Sequence, residues 1–224
     1  SAGNPVAKVT PQYAATDSGG KNSYSACSVS AADGVSICAF SSTYAESKIL
    51  SLTFPITVAA NDQIVFNHGP ATKLSIYYQP TIIVVNQKWG SPMIRILDAN
   101  DNLVTTGVDA TADLTIAVES GEGSITGTTT VAAVGGVGTF KDLRYNKNDI
   151  FTFQATKTDT SGSAGTTSSS VTSAPIKMLS NVASRVGFAT QPGGGVASVA
   201  WTQQPVVEIR DVGGNLVPTA TNEV

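Results

Sequence analysis

Two stretches, set side by side, decide the fold: Lys73-Leu74-Ser75-Ile76-Tyr77-Tyr78-Gln79-Pro80 and Arg185-Val186-Gly187-Phe188-Ala189-Thr190-Gln191-Pro192. They lie 112 residues apart, and the same spacing separates Trp89 from Trp201. With the offset grown by one, Pro92-Met93-Ile94-Arg95-Ile96-Leu97-Asp98 matches Pro205-Val206-Val207-Glu208-Ile209-Arg210-Asp211. The match runs on through Asp98-Ala99-Asn100-Asp101-Asn102-Leu103-Val104 and Asp211-Val212-Gly213-Gly214-Asn215-Leu216-Val217. Lys/Arg, Gln-Pro, Trp, Pro, Asp and Asn-Leu-Val in one fixed order mark a repeated unit.

Fainter echoes extend the pattern. Gly3-Asn4-Pro5-Val6 lines up with Asp101-Asn102-Leu103-Val104. Gly34-Val35-Ser36-Ile37-Cys38-Ala39-Phe40 stands before Leu52-Thr53-Phe54 as Gly136-Val137-Gly138-Thr139-Phe140 stands before Phe151-Thr152-Phe153. The expected organisation is therefore residues 1–71, a unit without its first strands; 72–181, a complete unit; and 182–224, the opening strands of a third. The connectors Asn67–Ala71 and Ser180–Ser184 are short, which predicts a semi-rigid rod. The Ser/Thr/Gly-rich stretch 156–173 reads as a mobile terminal loop.

Period two runs through these units. Met93–Leu97, Leu114–Val118, Phe151–Ala155 and Val206–Arg210 carry β-favouring residues between Asn-, Asp- and Gly-rich turns. No long stretch keeps the spacing of an amphipathic helix. Short strands at this spacing predict an all-β fold of tandem β-sandwiches.

Composition narrows the function. Thirteen Lys and Arg against 16 Asp and Glu give a net charge of −3, with no basic cluster of the kind nucleic acid requires. The longest aliphatic run, Thr81–Val85, is strand-sized, so no membrane insertion is expected. Charged residues are only 13% of the chain, and Ser, Thr, Asn, Gln and Gly cover the surface instead, a palette of exported proteins. The opening Ser1-Ala2-Gly3-Asn4-Pro5 is not a signal peptide, so a processed chain or an internal piece of a longer one is expected.

The order Gln-Pro, Pro-x5-Asp, Gly/Asp-Asn-x-Val, Gly-Val-x-x-Phe and a Thr-Phe strand resembles bacterial Ig-like tandem repeats. These are the repeats of invasin/intimin-like and related adhesin surface proteins. The resemblance spans the chain from Gly3 to Val224. It implies an Ig-like sandwich, an extracellular or cell-surface location and a stalk or adhesive role. It carries over no catalytic residue.

Few residues offer chemistry. Cys27 and Cys38 sit equidistant from an Ala32-Asp33 turn, which predicts a disulfide across a hairpin, the alternative being two buried thiols. Asp98, Asn100, Asn102 and Asp109 are candidate calcium ligands by alternation of oxygens. However, Leu103 replaces the glycine of an EF-hand turn, and the matching loop at Asp211 loses most oxygens, so a side-chain-capped turn is the stronger reading. No other cofactor is expected. Trp89 and Trp201 are either repeated core or domain-interface residues or a sugar-stacking platform, and exposed Tyr13, Tyr24, Tyr44, Tyr77 and Tyr78 would serve a ligand-binding module. His68 is alone in a connector. Glu119, Glu122 and Asp149 are scattered turn acids, and Lys141 or Lys157 are isopeptide candidates without diagnostic spacing.

The leading expectation is a non-enzymatic structural segment of a large surface protein. A glycan- or ligand-binding module and an accessory region of a large secreted enzyme are the alternatives. One partner is suggested by the repeat itself: Arg185, Phe188, Trp201, Val207 and Ile209 belong to opening strands that the first unit lacks. They could complete the first unit of another copy, head to tail.

Overall fold

The computed structural model describes residues 4–55, 63–157, 169–218 and 220. The centre of the Ser/Thr/Gly-rich stretch expected to be a mobile loop lies outside these residues. The fold is all-β, of the β-sandwich kind, and a single 3-10 turn, Val108–Thr111, is the one helical element among the described residues. Two compact units form. One holds Ser1–Pro70 with Leu97–Val104; the other holds Ala71–Ile96 with Thr105–Val224.

The first unit carries β1 (Gln12–Ala15), β2 (Asn22–Tyr24), β3 (Phe40–Ser42), β4 (Ser47–Phe54) and β5 (Gln63–Val65). β4 lies between β1 and β5, all antiparallel, and β2 pairs with β3. Between β2 and β3 a hairpin arm turns at Ala31–Val35, where the Ala31 N–H donates to the Val35 carbonyl and Ser28 to Ile37. Gly34 takes a φ of 77°, a left-handed conformation natural to glycine.

The second unit carries β6 (Lys73–Tyr78), β7 (Ile82–Val84), β8 (Met93–Leu97), β9 (Asp113–Ser120), β10 (Ile125–Thr126) and β11 (Thr130–Ala132). β12 (Val137–Thr139), β13 (Arg144–Tyr145), β14 (Ile150–Lys157), β15 (Ser170–Thr172) and β16 (Ile176–Leu179) follow. Last come β17 (Ala183–Thr190) and β18 (Val206–Asp211), paired with each other. One sheet runs β11-β9-β14-β16-β7 with β15 also on β14; the other runs β12-β8-β6. The β7 strand joins β16 in parallel, Ile83 opposite Met178.

The core follows from alternation. Along β14, Phe151, Phe153, Ala155 and Lys157 are buried while their neighbours are not. Ile94 and Ile96 from β8, Leu114 and Ile116 from β9, and Ile176 and Met178 from β16 meet them. Trp89 seals the space, with ring centroids 5.4 Å from Phe151 and 6.0 Å from Phe153. Each such side chain contributes about 1.5–3 kcal/mol on burial.

Hydrogen bonds fix how β4 corresponds to β14. Phe66 N–H donates to the Glu46 carbonyl, as Met178 N–H donates to that of Asp149. Lys48 therefore stands where Phe151 stands, Leu50 with Phe153, and Leu52 with Ala155. The sequence match of Leu52-Thr53-Phe54 to Phe151-Thr152-Phe153 is four residues out of register. A shift by an even number keeps every side chain on its face, so alternation alone does not expose it.

Candidate functional site

One polar arrangement is built twice. In the first unit, Asp98 accepts four hydrogen bonds. Its Oδ1 takes the backbone N–H groups of Asn100 (2.8 Å) and Asn102 (2.9 Å). Its Oδ2 takes the Gly69 N–H (2.8 Å) and the Asn102 side-chain Nδ2 (2.9 Å). Asn102 then grips a turn: its Oδ1 accepts from Ala45 N–H at 2.9 Å, and its Nδ2 donates to the Thr43 carbonyl at 2.9 Å.

In the second unit Asp211 and Asn215 repeat the set. Asp211 Oδ1 takes the N–H groups of Gly213 and Asn215, both at 2.9 Å, and Oδ2 takes Asn181 N–H at 3.2 Å and Asn215 Nδ2 at 3.2 Å. Asn215 Oδ1 accepts from Asn148 N–H at 3.1 Å, and its Nδ2 reaches the Asn146 carbonyl at 3.4 Å. Both aspartates and both asparagines are buried. The turn needs one left-handed residue, which is Asp101 (φ 68°) in the first and Gly214 (φ 82°) in the second. We call each arrangement a clasp: the aspartate ties its own loop to a connector residue, Gly69 or Asn181, and the asparagine ties that loop to a turn.

Burial pushes both carboxylates toward the neutral form, but the N–H donors outweigh it. Asn102, Gly69 and Asn100 hold Asp98 below the usual range. Asn215, Asn181 and Gly213 do the same for Asp211. A carboxylate surrounded by N–H dipoles presents its lone pairs to donors, which is the capped-turn reading. The other candidate calcium ligands are dispersed: Asn100 contributes its backbone N–H, and Asp109 pairs with the buried Lys157 at 2.8 Å. Among the described residues no group of three or more His, Cys, Asp or Glu converges as a metal site.

Cys27 and Cys38 are joined across the arm between β2 and β3. Lys157 is engaged with Asp109, Lys141 is exposed, and His68 Nδ1 lies 2.8 Å from the Gly69 carbonyl. Glu119 is exposed on β9. Asp149 accepts from the Glu122 N–H and from the Tyr145 hydroxyl at 3.0 Å. Tyr145 is stacked on Phe151 at 3.9 Å, and burial pushes its phenol up to about 12, with the Gly123 N–H opposing and Asp149 adding to the rise.

The aromatic candidates separate. Trp89 is 4% exposed and belongs to the core; Trp201 is 46% exposed and does not. The core reading thus holds for one tryptophan, because only Trp89 has strands on both sides of it. Around Trp201, Val186 is 66% exposed where its counterpart Leu74 is 7%, and Phe188 and Val207 are also exposed. Arg185 is exposed and Ile209 half-buried. The first unit shows the converse face. Tyr13, Cys38, Phe40, Leu50, Leu52, Ile64 and Phe66 line an open groove of about 510 Å³. Of the tyrosines, Tyr24, Tyr44, Tyr77 and Tyr78 are exposed, and Arg95 covers the Tyr77 ring at 3.4 Å.

Two roles escaped the sequence. Asn102 and Asn215 act on turns distant in sequence, and Gln79 acts as a backbone mimic. Its Nε2 donates to the Ala174 carbonyl at 3.1 Å and its Oε1 accepts from Ala174 N–H at 3.0 Å. The repeated Gln-Pro pair was the available signal for the second.

No family model matches the sequence, and no curated protein matches it. Among solved structures, domains 4–9 of the surface layer protein SbsC are similar over 97% of this chain at 12% identity, with a TM-score of 0.33. The S-layer protein rSbsC is similar over 97% at 11% identity and a TM-score of 0.33. This chain spans 30% and 25% of the lengths of those two chains. The D0-D1 domain of intimin is similar over 79% of this chain and 84% of its own, at 13% identity and a TM-score of 0.30.

Proposed function

We propose that this chain is a non-enzymatic structural segment of a large extracellular surface protein, a stalk or fibre of tandem Ig-like units serving adhesion. The observation that carries the reading is the clasp built twice. The chain commits its most thoroughly satisfied buried carboxylates to tying a loop, a connector and a turn together. It does so with the same residue types at the same spacing. Buried, fully satisfied polar groups specify one geometry, because any displaced arrangement leaves a desolvated acceptor unpaired. A stalk needs such fixed geometry within each of its units; an active site needs groups left available for substrate.

The test is surface labelling of intact cells with an antibody raised against this chain, together with protease shaving. Labelling and release by shaving support the reading; a signal only after lysis overturns it. The half-exposed Trp201 favours the glycan-binding alternative. Binding on a glycan array that Trp201→Ala abolishes would replace the structural reading with that one.

A further inference from the structure

We infer that the outer face of the β12-β8-β6 sheet is a binding site for an acidic polysaccharide, with the Arg95 guanidinium taking a sugar carboxylate and the Tyr77 ring beside it taking the apolar face of the sugar. The inference rests on the surface-protein reading and adds a ligand to it.

Strand alternation sets the composition of this face. Ile94 and Ile96 of β8, Leu74 of β6 and Gly138 of β12 are buried, so Lys73, Ser75, Tyr77, Arg95 and Thr139 turn outward. None of the three strands carries an acid, and Lys73 and Arg95 bring positive charge. The other sheet differs: β9 alone holds Asp113 and Glu119. In a chain of net charge −3, the outer face of the small sheet is therefore cationic.

Arg95 is the informative residue. Its Cζ sits 3.4 Å from the centroid of the Tyr77 ring, and Tyr77 is 57% exposed. Stacking holds a guanidinium flat and fixes the plane of its N–H donors. Among the described residues those donors meet no hydrogen-bond acceptor and no carboxylate, and Nε is buried without a partner. The other arginine of residues 72–181, Arg144, donates to the Asn86 carbonyl. A half-buried guanidinium without an acceptor loses hydration and gains no hydrogen bond in return; a bound carboxylate reverses that through two parallel N–H···O contacts. The repeated frame does not require the Arg95–Tyr77 pair. Glu208 and Ala189 stand at the matching positions, and Glu208 has its own partner in Arg210.

The ligand class follows from the shape of the face. β8 lies between β12 and β6, so no strand edge is open at Arg95 to receive a peptide backbone. What remains is a flat array of a charged fork, an exposed ring and the hydroxyl-bearing Ser75 and Thr139. A uronate residue carries the matching groups: a carboxylate, a C–H face and hydroxyls. Side chains already held by stacking lose little freedom on binding.

Titration of the full chain with oligogalacturonate, followed by NMR, tests this. Expected are saturable shifts of the Arg95 and Tyr77 signals, with none from neutral dextran oligomers. Arg95→Gln should weaken binding about 10-fold or more, the loss of a charge-assisted hydrogen bond. Arg95→Lys should not restore it, because an ammonium offers no planar fork. Tyr77→Phe, which keeps the ring, should bind as the unchanged chain does. Saturable binding of dextran, equal affinity for polyglutamate, full affinity in Arg95→Lys, or no shift at Arg95 overturns the inference. Surface labelling is independent of these outcomes: labelled cells with a chain that does not bind remove the ligand and leave the structural reading, whereas unlabelled cells remove that reading.

Discussion

Trp89 and Trp201 hold the same place in the same sequence frame, and one is sealed while the other stands half in water. Around Trp89, β14 supplies Phe151 and Phe153 from the facing sheet. Around Trp201, the hairpin β17–β18 has no facing sheet among the described residues. An apolar pattern assigns a side chain to a face, while burial belongs to whatever covers that face.

Truncating the two rings should have unequal consequences. Trp89→Ala should cost the second unit about 3–5 kcal/mol, the sum of lost transfer and cavity terms. Trp201→Ala in the dilute chain should stay within about 0.5 kcal/mol, as an exposed position does. Denaturant titration reads both, and equal losses would show that Trp201 is covered after all.

The clasps extend the comparison from apolar to polar residues, and here the two regions should behave alike. Asp98→Ala and Asp211→Ala each strand several buried N–H donors and should each cost about 2–3 kcal/mol. Urea unfolding of the two variants checks this, and a negligible loss at either would show that its donors find water instead.

The disulfide belongs to one region only. Reducing Cys27–Cys38 opens a short loop and should lower the stability of the first unit by about 2–3 kcal/mol, with the second unit unchanged. Calorimetry with and without reductant separates the units. A shift in both would mean that they do not unfold independently.

The smallest effects are those of pH. Asp98 and Asp211 have lowered folded values, so the clasps' contribution is complete above the unfolded value near 3.8 and fades as the pH falls through the lower folded values. The side-chain amide signals of Asn102 and Asn215 should shift together in an acid titration. Tyr145 runs the other way. Its folded value is raised, so its contribution is present below about 10 and is lost as the pH rises toward about 12. Phenolate absorbance should show an ionisation step at about 12 that Tyr145→Phe removes.

Much of the fold was legible because strands write a period of two. Met93–Leu97 and Phe151–Ala155 were readable from alternation, and the Cys27–Cys38 hairpin from symmetric spacing about a turn. The register of β4 was not, since a four-residue slip leaves the alternation intact and only the Glu46–Phe66 and Asp149–Met178 hydrogen bonds fix it. Of the clasp, the aspartate half was readable, because an Asx turn is local: Asp98 reaches its own neighbours at Asn100 and Asn102. The asparagine half was not, because Thr43 and Ala45 lie far from Asn102 in sequence.

By itself the sequence determined the strand class, the repeated frame and the residues able to face a core. These depend on side-chain alternation and turn chemistry, both set within a few residues. The tertiary structure alone decided which of those residues are buried, which carboxylates are pinned and where an edge stays open. Each of these depends on a partner strand that no local pattern specifies. Lys48 shows it most plainly: it occupies the core position that Phe151 fills, and it is buried because Glu46 and Asp17 come within reach of its ammonium.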